Sequence, residues 1–132
     1  MRHLIIPDPH AHPSHHNQRA DLLSKLIAET KPDVVVNLGD TWDFPSLSSY
    51  ERGTKDFQGR SYIKDVEVGI DFNDRIFHGI KKLKRKMPRR VFIEGNHEHR
   101  LKRAIQIQPE LEGDGFGIHW NDLHLDKYYH DV

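Results

Sequence analysis

Hydrophobic residues follow two patterns along this chain: short continuous runs, and longer stretches in which apolar positions recur every three or four residues. The short runs are typical of buried β-strands and fall at residues 4–6, 34–38 and 91–93. The helical spacing predicts α-helices at residues 18–30, 63–87 and 98–107. Strands that alternate with helices predict a parallel sheet with helical crossovers, which is a βαβαβ arrangement of the α/β class. We expect the central strand to be buried on both faces.

Length and composition restrict this fold to one domain without disulfides. A chain of 132 residues is enough for one modest domain, which we place at residues 1–132. It has no cysteine, so a metal ion must be held by histidine, aspartate, glutamate or asparagine. The 20 lysines and arginines balance the 20 aspartates and glutamates, so overall charge predicts neither a nucleic-acid nor a membrane partner. The N-terminal apolar run is too short for a signal peptide or a membrane span, and we expect a cytoplasmic protein.

Side chains that commonly bind metal ions follow each of the three predicted strands. In chain order, the pairs are Asp8 with His10, Asp40 with Asp43, and Asn96 with His97. Because ligands of open parallel sheets lie beyond the carboxyl ends of the strands, we expect these side chains to gather at one edge. The donor set suits divalent Mn, Fe, Zn or Mg, and a carboxylate can bridge two such ions. The sequence therefore predicts a metal centre at this edge of the sheet.

The three pairs belong to motifs that resemble those of the calcineurin-like metallophosphoesterase superfamily, in particular its bacterial and bacteriophage members. The motifs read D-x-H at residues 8–10, G-D-x-x-D at residues 39–43 and G-N-H-E at residues 95–98. The resemblance covers about residues 1–105. It implies an α/β sandwich, of which this chain would supply the parallel-sheet half, and dinuclear metal-dependent hydrolysis of phosphoesters.

The resemblance also implies a role for each motif residue. The implied metal ligands are Asp8 and His10 for the first ion, Asn96 for the second, and Asp40 as the bridge between them. His97 would be the catalytic histidine, which protonates the leaving oxygen or stabilises its charge, and Asp43 would orient the His97 imidazole. A hydroxide that bridges the two ions would attack phosphorus in line. The expected ions are Mn, with Fe, Zn or Mg as alternatives.

Two features of the superfamily are missing, and they make the domain look incomplete. The superfamily also uses a histidine on a later strand and a G-H-x-H motif, whereas this chain contains no Gly-His pair. The histidines that could substitute are His119, His124 and His130. Half of the two-sheet sandwich is absent as well. We therefore expect the N-terminal portion of a metallophosphoesterase domain, which by itself is an impaired catalyst.

The neighbours of the motif residues refine the substrate and the roles. Phe44 stands where protein phosphatases of the superfamily carry the arginine that clamps phosphate, which favours a phosphodiesterase or nuclease over a phosphomonoesterase. Nucleic acid or a nucleotide is then the candidate partner, although the basic run at residues 81–90 is better explained as a solvated helix end. Glu98 is expected to be a first-turn helix acid rather than a ligand. Four more histidines are expected to face solvent, with His12 the best candidate ligand among His12, His15, His16 and His99.

Two other functions remain open. The H-x-H at residues 10–12 also resembles the motif that opens amidohydrolase-like barrels, which would make the chain a metal-dependent amide hydrolase. That interpretation leaves the motifs at residues 39–43 and 95–98 without a role. Alternatively, the chain is a truncated or degenerate domain that binds a metal or a partner without catalysis. An uncovered sheet face would favour dimerisation.

Overall fold

The computed structural model describes residues 1–48, 60–81, 86–113 and 117–132. The strands are β1 (His3–Ile6), β2 (Val34–Asn37) and β3 (Arg89–Phe92). The helices are α1 (Gln18–Thr30), α2 (Tyr62–Lys81), α3 (Asn96–Ile107) and the single turn α4 (Leu125–Tyr128). Short 3₁₀ helices lie at Pro45–Leu47, Pro109–Leu111 and Trp120–Leu123. None of these helices is long and apolar enough to cross a lipid bilayer.

The three strands form one parallel sheet in the order β1-β2-β3, which confirms the predicted α/β class. Their register places Ile6 beside Asn37 and Asn37 beside Phe92, so the three strands end at the same level. The residues that follow each strand therefore emerge together at one edge of the sheet. This alignment is what allows three motifs far apart in the chain to meet.

Only one face of the sheet is covered within the described residues. Ile6, Val35 and Phe92 are almost fully buried and belong to one core cluster with residues of α1 and α2, which pack against each other. On the opposite face Ile5 is 49% exposed. In the central strand β2, Val35 and Asn37 are buried, whereas Val34 and Val36 on the opposite face are half-buried. The prediction of burial on both faces is therefore confirmed for one face only, because both crossover helices pack on the same side.

The helix boundaries differ from the sequence predictions at their ends. The helix predicted at residues 63–87 corresponds to α2, whose last described residue is Lys81. Residues 82–85 lie outside the described part, and Met87 is not helical. The helix predicted at residues 98–107 begins two residues earlier, at Asn96. Between β2 and α2, Pro45–Leu47 forms a 3₁₀ turn, and residues 49–59 lie outside the described part.

The C-terminal segment, for which the sequence pattern makes no prediction, lies along the outer edge of β3. Asp131 forms a parallel bridge with Val91, and its carbonyl oxygen accepts a hydrogen bond from the Phe92 N–H at 2.9 Å. Just before it, the Tyr129 ring packs against Phe92 at a centroid distance of 5.2 Å. The last residues of the chain therefore contribute to the core beneath the sheet edge that carries the motifs.

Candidate metal centre

Backbone hydrogen bonds join the loop after β1 to the loop after β2. The His10 N–H donates to the Asp40 carbonyl at 2.8 Å and the Ala11 N–H to the Thr41 carbonyl at 2.7 Å. The Asp43 N–H then donates back to the Ala11 carbonyl at 3.0 Å. These bonds continue the β1–β2 pairing beyond the regular strands, and they fix His10 relative to Asp40 and Asp43.

The backbone of both loops is held in an uncommon conformation. Six non-glycine residues of the described part have a left-handed φ, and four of them are Asp8 (41°), His10 (49°), Asp40 (51°) and Phe44 (51°). Left-handed backbone at a non-glycine residue costs about 1–3 kcal/mol and clusters at functional sites. The concentration of such residues in the first two motifs therefore marks this edge as a functional site independently of the side chains.

Two glycines let the loops after β2 and β3 approach each other. Gly39 has φ 86°, and a Cβ there would collide with the backbone of Ile93 and Gly95. A Cβ on Gly95 would collide with the backbone and the carboxylate of Asp40. Both glycines are therefore required by close approach, and they bring the G-N-H-E motif against Asp40.

Glu98 connects these same loops from beneath. Its side chain is fully buried, at 0% exposure, and it accepts three backbone hydrogen bonds. Oε2 accepts from Asp40 at 2.7 Å and from Gly95 at 3.0 Å, and Oε1 accepts from Trp42 at 3.1 Å. Burial raises the pKa of Glu98, and the three N–H donors oppose that rise. Glu98 thus does more than the first-turn acid that the sequence predicts, because it fastens the loops that carry the other motifs.

Three side chains from the three loops converge above this base. Ligand atoms of His10, Asp40 and His97 all lie within 4.8 Å of one another, and the two imidazole rings meet edge to face at 4.6 Å between centroids. The His97 N–H also donates to Asp40 Oδ1 at 2.8 Å, which holds the carboxylate toward α3. Two imidazole nitrogens and a carboxylate oxygen form a donor set that fits a divalent Mn, Fe or Zn ion.

Asp43 contacts both imidazoles of this triad. Its Oδ1 lies 3.0 Å from Nδ1 of His10 and 3.4 Å from Nδ1 of His97. The closest partner of His97 Nδ1 is the Asp43 carbonyl oxygen, at 2.6 Å. Because each Nδ1 faces an oxygen acceptor, the Nε2 atoms of His10 and His97 are left for a metal ion or a substrate.

Arg100 holds the backbone that presents Asp43. Its guanidinium donates to the carbonyl oxygen of Asp43 at 3.1 Å and to that of Phe44 at 3.4 Å. These bonds support the left-handed turn at Phe44, whose ring is fully buried. The final arginine of the sequence E-G-N-H-E-H-R therefore serves the loop geometry, a role that the sequence pattern does not reveal.

Comparison with known proteins agrees with this geometry. The family model described as calcineurin-like phosphoesterase matches residues 1–130. The chain belongs to the calcineurin-like phosphoesterase family. It is also 30% identical over 107 residues to the Gene 54 protein of Mycobacterium phage L5, an alignment that covers 70% of this chain and 40% of that relative. The chain thus corresponds to less than half the length of the curated relative it matches, as expected for part of a larger domain.

Membership of the calcineurin-like phosphoesterase family bears on the expected enzyme class and on the expected use of metal ions. Its members are phosphoester hydrolases that generally use divalent metal ions. The match extends to residue 130, beyond the end near residue 105 that the motifs alone indicate. The parallel three-stranded sheet and this match give no support to an amidohydrolase-like barrel.

The remaining sequence-predicted residues lie outside the triad. Asp8 is exposed and lines the groove between β1 and α1, and Asn96 is exposed at the first position of α3. The later histidines do not join the triad in the described part of the chain. His130 Nδ1 accepts from the Arg90 N–H at 3.0 Å, His119 Nδ1 accepts from the Asn121 N–H at 3.0 Å, and His124 is exposed. The ligand roles of Asp8 and Asn96 therefore stay predictions.

Proposed function

We propose that this chain forms the metal-binding half of an enzyme that hydrolyses phosphoesters with two divalent metal ions, Mn²⁺ being the first to test. The observation that carries the proposal is the convergence of His10, Asp40 and His97 from three separate strand ends around one orienting aspartate, Asp43. The cluster offers donors for at least one ion, and the second ion, with Asp40 as the shared carboxylate, is part of the proposal. Bound ions would polarise the phosphoryl oxygens and neutralise charge on them.

The residues of the chain then have the following roles. His10 and Asp8 would hold the first ion, Asn96 would hold the second, and Asp40 would contribute to both. His97 donates a proton, or a hydrogen bond, to the leaving oxygen from Nε2, since its Nδ1 is engaged by the Asp43 carbonyl. Asp43 keeps both imidazoles in the orientation that this requires.

We favour a phosphodiester over a phosphomonoester substrate, with a nucleotide or nucleic acid as the candidate. Phe44 stands at the position where an arginine would clamp a phosphate. Its side chain is apolar and fully buried, so it offers a phosphate no hydrogen-bond donor. The guanidinium of Arg100 donates to two backbone carbonyls of the same loop. A terminal phosphate with two negative charges thus has no evident guanidinium partner in this part of the described site.

The test measures metal stoichiometry and hydrolysis on the same protein. Isothermal titration with Mn²⁺ should give two ions per chain, and bis(p-nitrophenyl) phosphate should be hydrolysed faster than p-nitrophenyl phosphate. Asp40→Asn should abolish both signals, whereas Asp126→Asn, an exposed aspartate on α4, should change neither. Faster hydrolysis of the monoester would contradict the substrate preference, and intact activity in Asp40→Asn would contradict the metal centre.

A general-acid role of His97 can be distinguished from a metal-ligand role by how the activity of a His97 variant depends on the leaving group of the substrate. If His97 acts as the general acid, His97→Ala should leave the Mn²⁺ stoichiometry unchanged and lower kcat by about 10²–10⁴-fold. The loss should be smaller for p-nitrophenyl esters than for alkyl phosphodiesters, because p-nitrophenolate leaves without protonation. Loss of one bound ion with no leaving-group dependence would instead make His97 a ligand.

A second candidate function is metal binding without turnover. It is favoured by the single metal-binding triad among the described residues and by the 40% of the phage relative that the chain covers. One Mn²⁺ per chain and no hydrolysis of either ester would support it.

A further inference from the structure

Imidazoles approach the Asp43 carboxylate at both of its oxygens. His10 and His97 share Oδ1, at 3.0 and 3.4 Å, while His12 Nε2 lies 3.9 Å from Oδ2. The family motif accounts for the first two rings but assigns nothing to His12. Its side chain is only 28% exposed, in contrast to the exposed His15 and to the solvent-facing position that the sequence predicts for it.

The backbone aims His12 at Asp43. Ala11 pairs with the second loop through a parallel bridge to Trp42, and it is 1% exposed. The Asp43 N–H donates back to the Ala11 carbonyl at 3.0 Å, which holds this segment against the loop that carries Asp43. His10 and His12 flank Ala11, so both imidazoles reach the same aspartate from one short segment.

A hydrogen bond fixes which nitrogen of His12 carries the proton. Nδ1 accepts the Ser14 backbone N–H at 3.0 Å, so in the neutral ring the hydrogen lies on Nε2. That N–H is the group that faces Asp43 Oδ2. The separation of 3.9 Å exceeds a direct hydrogen bond, and it suits an electrostatic contact or one bridged by water.

A second carboxylate, on another element, interacts electrostatically with His12. Asp65 on α2 is 1% exposed, and burial raises its pKa. The nearby Asp43 also raises the pKa of Asp65, whereas His12 lowers it. Its Oδ2 accepts from the Ser46 N–H at 2.9 Å, and its Oδ1 is buried without a hydrogen-bond partner. His12 is thus close enough to influence one carboxylate on the motif loop and another on α2.

We propose that His12 is a positioning residue of the metal centre, whose Nε2–H holds the second oxygen of Asp43 so that the first oxygen stays directed at His10 and His97. Without this donor the Asp43 carboxylate can rotate, so that His10 loses the acceptor at 3.0 Å that orients its ring. His97 loses the weaker carboxylate contact at 3.4 Å and keeps its bond to the Asp43 carbonyl. The inference rests on the proposed function only in assuming that the triad binds a metal ion. Groups that orient metal ligands typically change metal affinity or activity by about 10–100-fold when removed.

Three variants of the full chain test this role. His12→Ala removes the donor, His12→Gln keeps an amide N–H at a similar distance from the backbone, and His16→Ala removes an exposed imidazole of the same loop as a control. Titration with Mn²⁺ should show affinity weakened about 10–100-fold in His12→Ala, largely restored in His12→Gln and unchanged in His16→Ala. With a phosphodiester substrate, kcat should follow the same order at constant KM. Urea unfolding of each variant checks that the fold is retained.

The outcomes separate this inference from the proposed function. If the wild-type chain binds Mn²⁺ without hydrolysing either ester, and the affinities still follow this order, the proposed function fails while the role of His12 stands. If the wild-type chain is active and His12→Ala matches it in affinity and kcat, or if His12→Gln is no better than His12→Ala, the role of His12 is overturned. A wild-type chain that binds no Mn²⁺ overturns both. Long-range ¹H–¹⁵N NMR of the metal-free chain gives an independent readout, and a proton on Nδ1 of His12 would overturn the inference whatever the activity.

Discussion

Replacing Glu98 with glutamine should destabilise the fold although it changes neither size nor shape. The side chain is fully buried, and its two oxygens accept N–H groups from Asp40, Gly95 and Trp42. Glu98 presents an acceptor at both oxygens whether it is ionised or protonated. Glutamine has one oxygen, so its best orientation keeps the bonds to Asp40 and Gly95 and turns the amide NH₂ toward the Trp42 N–H.

The size of the effect follows from counting the donors left without an acceptor. Glu98→Gln buries the Trp42 N–H and the new amide N–H face to face, so that both lack a partner. Each of the two unpaired buried donors costs about 1–3 kcal/mol, and we expect the free energy of unfolding to fall by about 2–6 kcal/mol. The loss should become smaller as pH rises from 5 to 7, because burial raises the pKa of Glu98 and the folded wild-type chain therefore binds more protons than the unfolded chain.

Urea unfolding followed by circular dichroism measures this loss, and Glu67→Gln is the matched control. Glu67 is exposed on α2, so its substitution should change the free energy of unfolding by less than about 0.5 kcal/mol. Equal m values for the three proteins would show that only stability has changed. A Glu98→Gln protein within about 0.5 kcal/mol of wild type would refute the reasoning, because it would mean that the loops find other acceptors.

Three further substitutions test other contacts. Gly95→Ala should displace the Asp40 carboxylate, lower the free energy of unfolding by about 1–3 kcal/mol through overpacking, and weaken Mn²⁺ binding in isothermal titration. Asp65→Asn should become more stable relative to wild type as pH rises from 4 to 7, as measured by urea unfolding. Burial raises the pKa of Asp65, so the folded wild-type chain binds more protons than the unfolded chain. The wild-type chain therefore loses stability through that pH range. Tyr129→Phe should cost about 1–3 kcal/mol in urea unfolding, because the buried Asn73 Oδ1 loses the hydroxyl that donates to it at 2.7 Å.

The Gly95 and Tyr129 substitutions have matched controls, and the Asp65 substitution is tested by its pH dependence. Gly79→Ala, where a new Cβ meets only the flexible hydroxyl of Ser24, should be neutral or stabilising, and an equal effect of both glycine substitutions would exclude a specific clash at Gly95. A pH-independent difference for the Asp65 variant would contradict the raised pKa. Tyr128→Phe loses a bond to the half-exposed Asp74 and should cost less than Tyr129→Phe.

The sequence predicts the parts of this fold that local patterns determine. The three strands, the two crossover helices and the parallel sheet follow from apolar runs and helical spacing, which act over a few residues. The same reasoning brings the motif residues to one edge, because parallel strands in register must end together. It does not separate His10, Asp40 and His97, which converge, from Asp8, which does not, because that difference depends on left-handed turns and side-chain directions.

Interactions between distant residues account for most of what the sequence leaves out. The bond from the Asp40 N–H to Glu98 joins residues 58 apart, and no pattern within one helix distinguishes a buried glutamate from an exposed first-turn acid. The available signal for the role of Glu98 is its position three residues after Gly95. A glutamate at the third position of a helix often accepts a hydrogen bond from the N–H of the N-cap residue. The sequence leaves open whether one face of the sheet is uncovered and does not place that face at Ile5, because hydrophobicity alone does not tell how many layers cover a strand.

A buried polar network under the second motif connects the C-terminal segment to the site. The family model covers this segment as well, since it matches residues 1–130. Asn37 ends β2; its Oδ1 accepts the Gly39 N–H at 3.0 Å, and its Nδ2 donates to Thr41 at 2.8 Å and to the Tyr129 hydroxyl at 2.9 Å. Asn37 thereby holds the turn that presents Asp40, and Tyr129 holds Asn37. A segment without any metal-binding motif is thus connected through two hydrogen bonds to the backbone of the site. Because loss of Tyr129 would loosen that turn, the C-terminal residues help to hold the loop that presents Asp40.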